Sequence, residues 1–201
     1  MSSTRKNIIL ATNNSNKVRE FREILSGRDI MILSLKEAGI DVEIEETGNT
    51  FEENSLIKAR AVCMMTGNPA LADDSGLCVD YLDGAPGVYS SRFMGEDTPY
   101  IEKNAAIIEK LSGVPENMRG AAFHCVMALV FPDGREFLTR GKMPGIIAKT
   151  PAGENGFGYD PILYLPEYAM TSAQLSPEEK NAISHRGKAL EKMLEIIKKE
   201  F

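Results

Sequence analysis

Two adjacent carboxylates followed by a hydroxyl and a glycine form the part of the sequence best suited to chemistry. Asp73, Asp74, Ser75 and Gly76 follow the apolar run 69–72, which predicts a short buried strand. Neighbouring side chains of a strand point to opposite faces, so the two carboxylates share a face only if the strand has ended. We expect one carboxylate to face a site and the other to brace a turn. On local grounds alone, an ordinary turn at a strand end is the commoner explanation.

Two loops rich in glycine are candidate walls for such a site. Residues 83–93 are rich in Gly, Pro and Ser, but their aromatic and apolar content argues against disorder. We interpret them as the wall of a site whose floor is the pair of aspartates. In the second loop, 152–161, Phe157 lies between glycines, which is typical of a stacking platform for a flat ligand. A hydrophobic plug in a loop is the commoner explanation of such an aromatic residue.

A polar segment near the N-terminus has the pattern of a phosphate-binding loop. Thr12–Lys17 lies between the apolar strand 7–11 and a helix marked by Val18, Phe21 and Leu25. Asn and Ser favour helix N-caps, so backbone N–H groups and the positive end of a helix dipole converge at this junction. The glycines of a Walker loop are missing, and a capped surface helix explains the segment equally well.

The next helix could bring a lysine to the two aspartates. Thr50 and Glu53 form a capping box, which predicts a helix that runs to about residue 66. Asn54 and Lys58 fall on one face of that helix, so the lysine could reach the site. Most helix lysines are simply solvated. Upstream, alternation in residues 42–46 predicts a half-exposed strand that ends in two acids.

The remaining pattern predicts a mixed sheet, and 201 residues allow one large domain or two lobes around a cleft; we expect residues 1–201 to form a single α/β domain. An apolar strand at 121–131, a turn at 132–134 and a return strand at 136–141 predict a hairpin, and 145–149 predicts another strand. A hairpin added to strand–helix–strand units makes the sheet mixed. Further helix starts are predicted at Thr98-Pro99, Ser176-Pro177 and Ser184-His185.

Composition bounds the possible partners. With 201 residues, 43% of them hydrophobic and 26% charged, the chain is an ordinary globular protein. No apolar run approaches the ~20 residues that span a bilayer, and the apolar part of the basic N-terminus is too short for a signal peptide. We therefore expect a cytoplasmic protein without a membrane partner. Cys63, Cys78 and Cys125 lack metal-type spacing and fit reduced thiols. The net charge of −6 argues against binding to a nucleic-acid polymer.

The combined residue types point to a metal-bound nucleotide. Oxygen ligands without His or Cys clusters suit Mg²⁺ before Zn²⁺. Lysines and helix N-termini suit phosphate, and a stacking aromatic suits a base. The acids concerned are Glu45, Glu46, Asp73 and Asp74, and the basic residues at helix starts are Lys17, Lys180 and Arg186.

Six sequence blocks in one order closely resemble the inosine triphosphate pyrophosphatase (Ham1-like) family. They are Ala11–Lys17, Glu46–Gly48 with Phe51–Asn54, Ala72–Leu77, Gly84–Gly87, Phe157–Pro161 and Ser184–Gly187. The resemblance implies Mg²⁺-dependent hydrolysis of ITP, dITP and XTP to a monophosphate and pyrophosphate, which cleanses the nucleotide pool. It also implies an elongated mixed α/β sheet with flanking helices, two lobes around a central nucleotide-binding cleft, and a homodimer.

The resemblance also implies roles for individual residues. Asp74 matches the general base, and Glu45, Glu46 and Asp74 match metal ligands, with the register of the two glutamates open by one. The residues that match contacts to the triphosphate are Thr12, Asn13, Asn14, Ser15, Asn16 and Lys17, and Lys58 matches a contact to a phosphate. Ser75, next to the general base, matches a further substrate contact. The residues that match contacts to the nucleoside are Phe157, Gly158, Tyr159, Asp160, Lys180, His185 and Arg186.

Selection of the base must depend on position 6 of the purine. Hypoxanthine and xanthine carry a carbonyl there, whereas adenine carries an amino group. A buried donor such as Arg186 would lose its partner with ATP, and such a loss can support discrimination of ~10⁴. GTP shares the carbonyl, so its rejection needs a clash or a lost contact at position 2.

Three other kinds of protein fit the sequence less well. A phosphatase with an aspartyl nucleophile would carry an Asp-x-Asp-x-Thr-type motif, which this strand end lacks. A sensor that binds nucleotide without hydrolysis would keep Lys17, Phe157 and Arg186 but could dispense with Asp74. A protein-interaction domain would leave the six ordered blocks unexplained.

Overall fold

A computed structural model describes residues 7–28 and 30–200. These residues form a seven-stranded sheet with helices packed against it. Residues 1–6 of the N-terminal stretch considered for a signal peptide lie outside the described residues. The strands are β1 (Asn7–Leu10), β2 (Met31–Ser34), β3 (Ala70–Val79), β4 (Gly120–Val130), β5 (Glu136–Ile147), β6 (Leu163–Leu165) and β7 (Met170–Thr171). The α-helices are α1 (Ser15–Leu25), α2 (Phe51–Thr66), α3 (Tyr100–Lys110), α4 (Pro177–Ile183) and α5 (His185–Glu200).

The sheet is mixed, as the sequence predicts. Its strand order is β2-β1-β3-β4-β5-β6-β7. Strand β1 pairs in parallel with β2 and β3, whereas β6 pairs antiparallel with β5 and β7. The tight turn at residues 131–135 joins the neighbouring strands β4 and β5. The prediction of a mixed α/β sheet with flanking helices is therefore confirmed.

Local sequence signals account for where the helices begin. The Asn14 side chain caps α1 by accepting the N–H groups of Asn16 and Lys17. Capping boxes start α2 at Thr50 and α4 at Ser176. Each capped helix satisfies N–H groups that otherwise lack an intrahelical partner.

Three local predictions were wrong. Strand β3 does not end at Asp73, because it continues to Val79 and leaves no turn at the two aspartates. Residues 145–147 belong to the end of β5 and form no separate strand. Residues 42–46 keep the alternation of half-buried and exposed side chains but pair with no strand among the described residues.

Contacts between residues divide the chain into two compact units. The first unit contains the residues up to Asp74, Cys125–Gly141 and the chain from Gly187 onward, and the second contains Ser75–His124 and Lys142–Arg186. In the second unit, one apolar core gathers Leu77 and Val79 of β3 with residues of α3 and β5. The single domain remains a prediction.

The first unit has two apolar cores that share the strands between them. Ile8 and Leu10 of β1 belong to a core with α1 and α5, whereas the intervening Ile9 belongs to a core with α2. Strand β3 follows the same alternation, with Leu71 in the α1–α5 core and Ala72 in the α2 core. Side chains that alternate along a strand therefore meet different helices.

Two further findings concern membrane-spanning helices and cysteines. Within residues 7–28 and 30–200, the structure contains no helix long and apolar enough to cross a membrane. The three cysteines are free thiols, and Cys63 and Cys125 are buried.

Candidate active site

The alternation of β3 sends its two adjacent carboxylates to different helices. Asp73 follows Leu71 on the side of α1, and Asp74 follows Ala72 on the side of α2. Both carboxylates are buried, since Asp73 has no exposed surface and Asp74 is 5% exposed. The prediction that the two side chains point in opposite directions is right, although the strand continues through both.

Lys17 of α1 neutralises the first carboxylate. Its ammonium lies 3.1 Å from Asp73 Oδ2 and 3.4 Å from the carbonyl oxygen of the same residue. Lys58 of α2 donates to that carbonyl oxygen as well, at 2.8 Å. A buried carboxylate requires charged or hydrogen-bonding partners, and Lys17 of α1 is such a partner here, whereas Lys58 of α2 holds the backbone of Asp73.

Asp74 is held by two residues one turn apart on α2. Asn54 donates from Nδ2 to Asp74 Oδ2 at 3.1 Å, and the Lys58 ammonium lies 3.8 Å from Asp74 Oδ1. Burial raises the pKa of the Asp74 carboxyl above its ordinary value, and the charges of Lys58 and Lys17 oppose that rise. A carboxylate with a raised pKa is a better proton acceptor than an exposed one.

Glu46 completes the cluster, and Glu45 lies outside it. Lys58 donates to Glu46 Oε1 at 2.5 Å, whereas Glu45 is exposed. Burial lowers the pKa of the Lys58 ammonium, but the neighbouring carboxylates, led by Asp74 and Glu46, raise it by more than burial lowers it. The net pKa is therefore above the ordinary value of a lysine, and the ammonium stays protonated. Val42 and Ile44 are half-buried like Glu46. The alternation of apolar residues was thus a sequence signal that Glu46, and not Glu45, lies on the side of Lys58.

The donors of this cluster fit a magnesium ion that is shared with a phosphorylated ligand. One oxygen of Glu46 and one of Asp74 lie 2.5 Å and 3.8 Å from the Lys58 ammonium, so both carboxylates contact the same cation. Mg²⁺ in proteins is often bound by one or two carboxylates together with phosphate oxygens. Within residues 7–28 and 30–200, no group of three or more His, Cys, Asp or Glu side chains could hold a metal ion by itself. Glu46 and Asp74 are therefore the carboxylates of this cluster that could hold such an ion.

The predicted phosphate loop connects β1 to α1 and is polar and open. Asn13 donates from Nδ2 to the Val42 carbonyl at 2.9 Å, and the side chains of Asn13, Asn14 and Ser15 are exposed. A cavity of about 860 Å³ adjoins the loop. Its lining includes Thr12, Asn13 and Ser15 of the loop and the basic residues Arg19, Arg22 and Lys36. Asn14 already accepts the N–H groups of Asn16 and Lys17, so the Lys17 ammonium is the main cation that this segment offers.

In the second unit, a buried ion pair braces the glycine-rich loop that carries Phe157. Asp160 Oδ2 accepts the Lys180 ammonium at 2.6 Å and the Phe157 N–H at 2.8 Å. Asp160 Oδ1 accepts the Ser172 hydroxyl at 2.8 Å. Gly156 has a φ of +73°, and a Cβ atom at this position would lie 2.1 Å from Asp160 Oδ2. Only glycine allows the backbone to approach the carboxylate this closely.

The ring of Phe157 lies beside two cations. The Lys180 ammonium is 5.3 Å and the Arg186 guanidinium 5.8 Å from the ring centroid. Arg186 is 1% exposed and donates to Ser75 Oγ at 2.9 Å. Cations at this range are attracted to an aromatic face.

The other predicted nucleoside contacts are well anchored. The Tyr159 hydroxyl donates to the Ser90 carbonyl at 2.8 Å, and burial raises the pKa of this phenol. Gly158 accepts the Asn104 amide at its carbonyl oxygen, at 3.1 Å. The His185 ring stacks on Phe123 with the centroids 4.9 Å apart.

The predicted residues therefore fall into two groups, each within one unit. Lys17, Glu46, Lys58 and Asp74 are brought together in the first unit, and Thr12–Asn16 lead into it along the chain. The second unit holds Ser75, Phe157, Gly158, Tyr159, Asp160, Lys180, His185 and Arg186. No role was predicted for Asn54, although its position one turn before Lys58 on the same helix face indicates that it also lies near Asp74.

The fold and these side chains define a class: a mixed α/β protein whose carboxylate–lysine cluster has chemistry suited to phosphate anhydrides. A model of the Ham1 family matches residues 8–196, and the chain belongs to that family.

The relatives agree with this assignment. A dITP/XTP pyrophosphatase of Desulforamulus reducens is 50% identical over 190 residues, which cover 94% of each chain. A dITP/XTP pyrophosphatase of Clostridium perfringens is 47% identical and covers 96% of this chain and 98% of its own. The structure of a HAM1 protein from Coxiella burnetii superposes with a TM-score of 0.87 at 44% identity, covering 96% of this chain and 99% of that one.

Proposed function

We propose that this protein hydrolyses non-standard purine nucleoside triphosphates, namely ITP, dITP and XTP, to the monophosphate and pyrophosphate, and so cleanses the nucleotide pool. Relatives at 50% and 47% identity that cover nearly the whole chain bear the name dITP/XTP pyrophosphatase. The observation that carries the chemistry is the buried Asp74 carboxylate held between Asn54 and Lys58.

Asp74 is the general base of this proposal. It accepts a proton from the attacking water while the water oxygen bonds to phosphorus, the bond between the α and β phosphates breaks, and pyrophosphate leaves with its electron pair. The raised pKa of Asp74 favours this proton transfer. Lys17 and Lys58 are the cations that bind the phosphate oxygens and stabilise the negative charge on the leaving group.

Glu46 and Asp74 are the residues that would hold Mg²⁺, with Glu45 further from the cluster. When bound, the ion neutralises charge on the phosphates and polarises phosphorus. Since Lys58 pairs with Glu46 in this structure, its ammonium is placed to exchange this carboxylate for a phosphate oxygen.

The second group of residues binds the nucleoside. Phe157 offers an aromatic face for the purine, and Arg186 is a buried donor suited to the carbonyl at position 6. Asp160 acts mainly through Lys180 and the Phe157 backbone, since both of its oxygens accept internal hydrogen bonds. An adenine amino group would leave the Arg186 guanidinium without an acceptor, which disfavours ATP.

The compartment, the partners and the oligomeric state complete the proposal. The substrate pool is that of the cytoplasm, where the protein is expected to act. The net charge of −6 disfavours a nucleic-acid polymer as partner. We also propose that the protein is a homodimer.

The test is pyrophosphate release from ITP, XTP, GTP and ATP at matched concentration, with Mg²⁺ and with EDTA. We expect fast release from ITP and XTP with Mg²⁺, little release from GTP and ATP, and none with EDTA. The Asp74→Asn variant should lose turnover and still bind ITP. Equal release from all four nucleotides would remove the base-selection argument. Binding of ITP without release by the wild-type protein would instead favour a sensor.

A further inference from the structure

Asn54 occupies a helix position that helix formation does not explain. It lies in the first turn and a half of α2 and has no exposed surface. Asn is a weak helix former, and a buried amide destabilises a protein unless its hydrogen bonds are made. A small apolar residue would serve the helix better, so the amide group itself has a task.

Both ends of the Asn54 amide are fixed. Its Oδ1 accepts the N–H of Gly48 at 2.8 Å, and its Nδ2 donates to Asp74 Oδ2 at 3.1 Å. Because a backbone N–H can only donate, the Gly48 contact assigns the oxygen end of the amide and leaves the nitrogen end for Asp74. The side chain therefore has one orientation.

The glycine at position 48 makes the close approach possible. A Cβ atom there would lie 2.6 Å from Glu53 Cβ and 2.7 Å from Asn54 Oδ1. Gly48 follows Glu46 by two residues, so Asn54 ties the segment that carries this glutamate to α2. One amide thus links the acidic segment and the Asp74 carboxylate.

We infer that Asn54 is a positioning residue that sets the rotation of the Asp74 carboxylate for proton abstraction. Lys58, one turn further along α2, contacts the other carboxylate oxygen, so the two helix residues define the plane of the carboxylate. This inference rests on the proposed function, since it concerns the reacting group of that hydrolysis. A misplaced reacting group can cost about 10²-fold in rate.

The test compares variants at position 54 in ITP hydrolysis with Mg²⁺. Asn54→Ala should lower kcat about 10²-fold while the KM for ITP changes less than about twofold. Asn54→Asp keeps an acceptor for Gly48 but loses the donor to Asp74, so it should lose at least as much kcat. Ser55→Ala is the matched control, because Ser55 is equally buried on α2 and its hydroxyl donates only locally, to the Glu52 carbonyl at 3.0 Å. Its kcat and KM should equal those of the wild type.

A double-mutant comparison separates positioning from a merely structural role. In single-turnover reactions with enzyme in excess, Asn54→Ala should not lower the residual rate of the Asp74→Asn variant any further, because the group that it positions is gone. An unchanged kcat in Asn54→Ala or Asn54→Asp, or an equal loss in the Asp74→Asn background, would overturn the inference alone. A wild-type protein that releases no pyrophosphate from ITP would overturn the proposed function, and this inference with it.

Discussion

The Asp160 carboxylate accepts hydrogen bonds from three separate segments of its unit. The Phe157 N–H belongs to the glycine-rich loop, Lys180 to α4, and the Ser172 hydroxyl to the turn after β7. The side chains of Asp160 and Lys180 are 3% and 5% exposed. Since neither charge reaches water, each depends on the other.

Replacement of Asp160 by Asn should therefore destabilise the protein strongly. The substitution removes the carboxylate that lies 2.6 Å from the buried Lys180 ammonium, which costs about 3 kcal/mol in the free energy of unfolding. Urea unfolding measures the change. The control is Asp133→Asn, because Asp133 is exposed beside Arg135 and its replacement should cost much less than that of Asp160. A cost for Asp160→Asn no greater than that of the control would contradict the prediction.

At the scale of elements, α2 carries both the residues that hold Asp74 and the cap that starts the helix. Thr50 Oγ1 accepts the Glu53 N–H at 3.1 Å, and Glu53 accepts the Thr50 N–H at 3.2 Å. The cap lies one turn before Asn54, so it stabilises the turn from which that side chain departs.

Thr50→Ala should lower the free energy of unfolding by about 1 kcal/mol, because it removes the side-chain half of the capping box. The measurement is the denaturation midpoint together with its slope. Thr98→Ala is a useful comparison, since Thr98 precedes the Pro99 cap of α3 and its hydroxyl donates back to Met94. No loss of stability in Thr50→Ala would show that the capping box contributes nothing.

Signals contained in a few consecutive residues were predictable from the sequence. The three-residue spacing of Thr50 and Glu53 gave the start of α2, and Pro132-Asp133-Gly134 gave the turn between β4 and β5. The course of β3 was not predictable in this way. Its aspartates resemble a turn locally, but Lys17 and Asn54, distant in sequence, supply the partners that let the strand continue.

The sequence predicted which residues belong to the candidate site better than it predicted which of them contact one another. The resemblance named Asp74, Lys58 and the glutamate pair, but pairing of Lys58 with Glu46 depends on how residues 42–46 lie against α2. Asn54 was placed on the correct face of the helix without a role. Residue spacing gives the face of a helix, whereas partners across the fold require the tertiary structure.

At the scale of the whole molecule, large apolar side chains are exposed on the second unit. Ile101 is 77% exposed, Tyr89 55% and Met94 54%. Exposed apolar and aromatic side chains are enriched in protein interfaces when they form a patch. A charge introduced at one of these side chains tests whether the proposed homodimer uses this surface.

Light scattering after size exclusion should give a mass about twice 22.1 kDa for the wild-type protein. Ile101→Glu should shift the mass toward the monomer, because a charge would be buried in the interface. Met64→Glu is the control, since Met64 is 85% exposed on the first unit and should leave the mass unchanged. A wild-type protein that elutes as a monomer at micromolar concentration would exclude the homodimer.

The alternation of side chains along β3 also limits how the gene can change in length. Ala70 and Leu71 pair with Ile9 and Leu10 of β1, which fixes the register just before the aspartates. One codon gained or lost between Leu71 and Asp73 would exchange the faces of the two carboxylates and present each to the other's helix. We therefore expect the codons for 70–74 to be inherited without a change in number, and insertions and deletions to be confined to exposed loops.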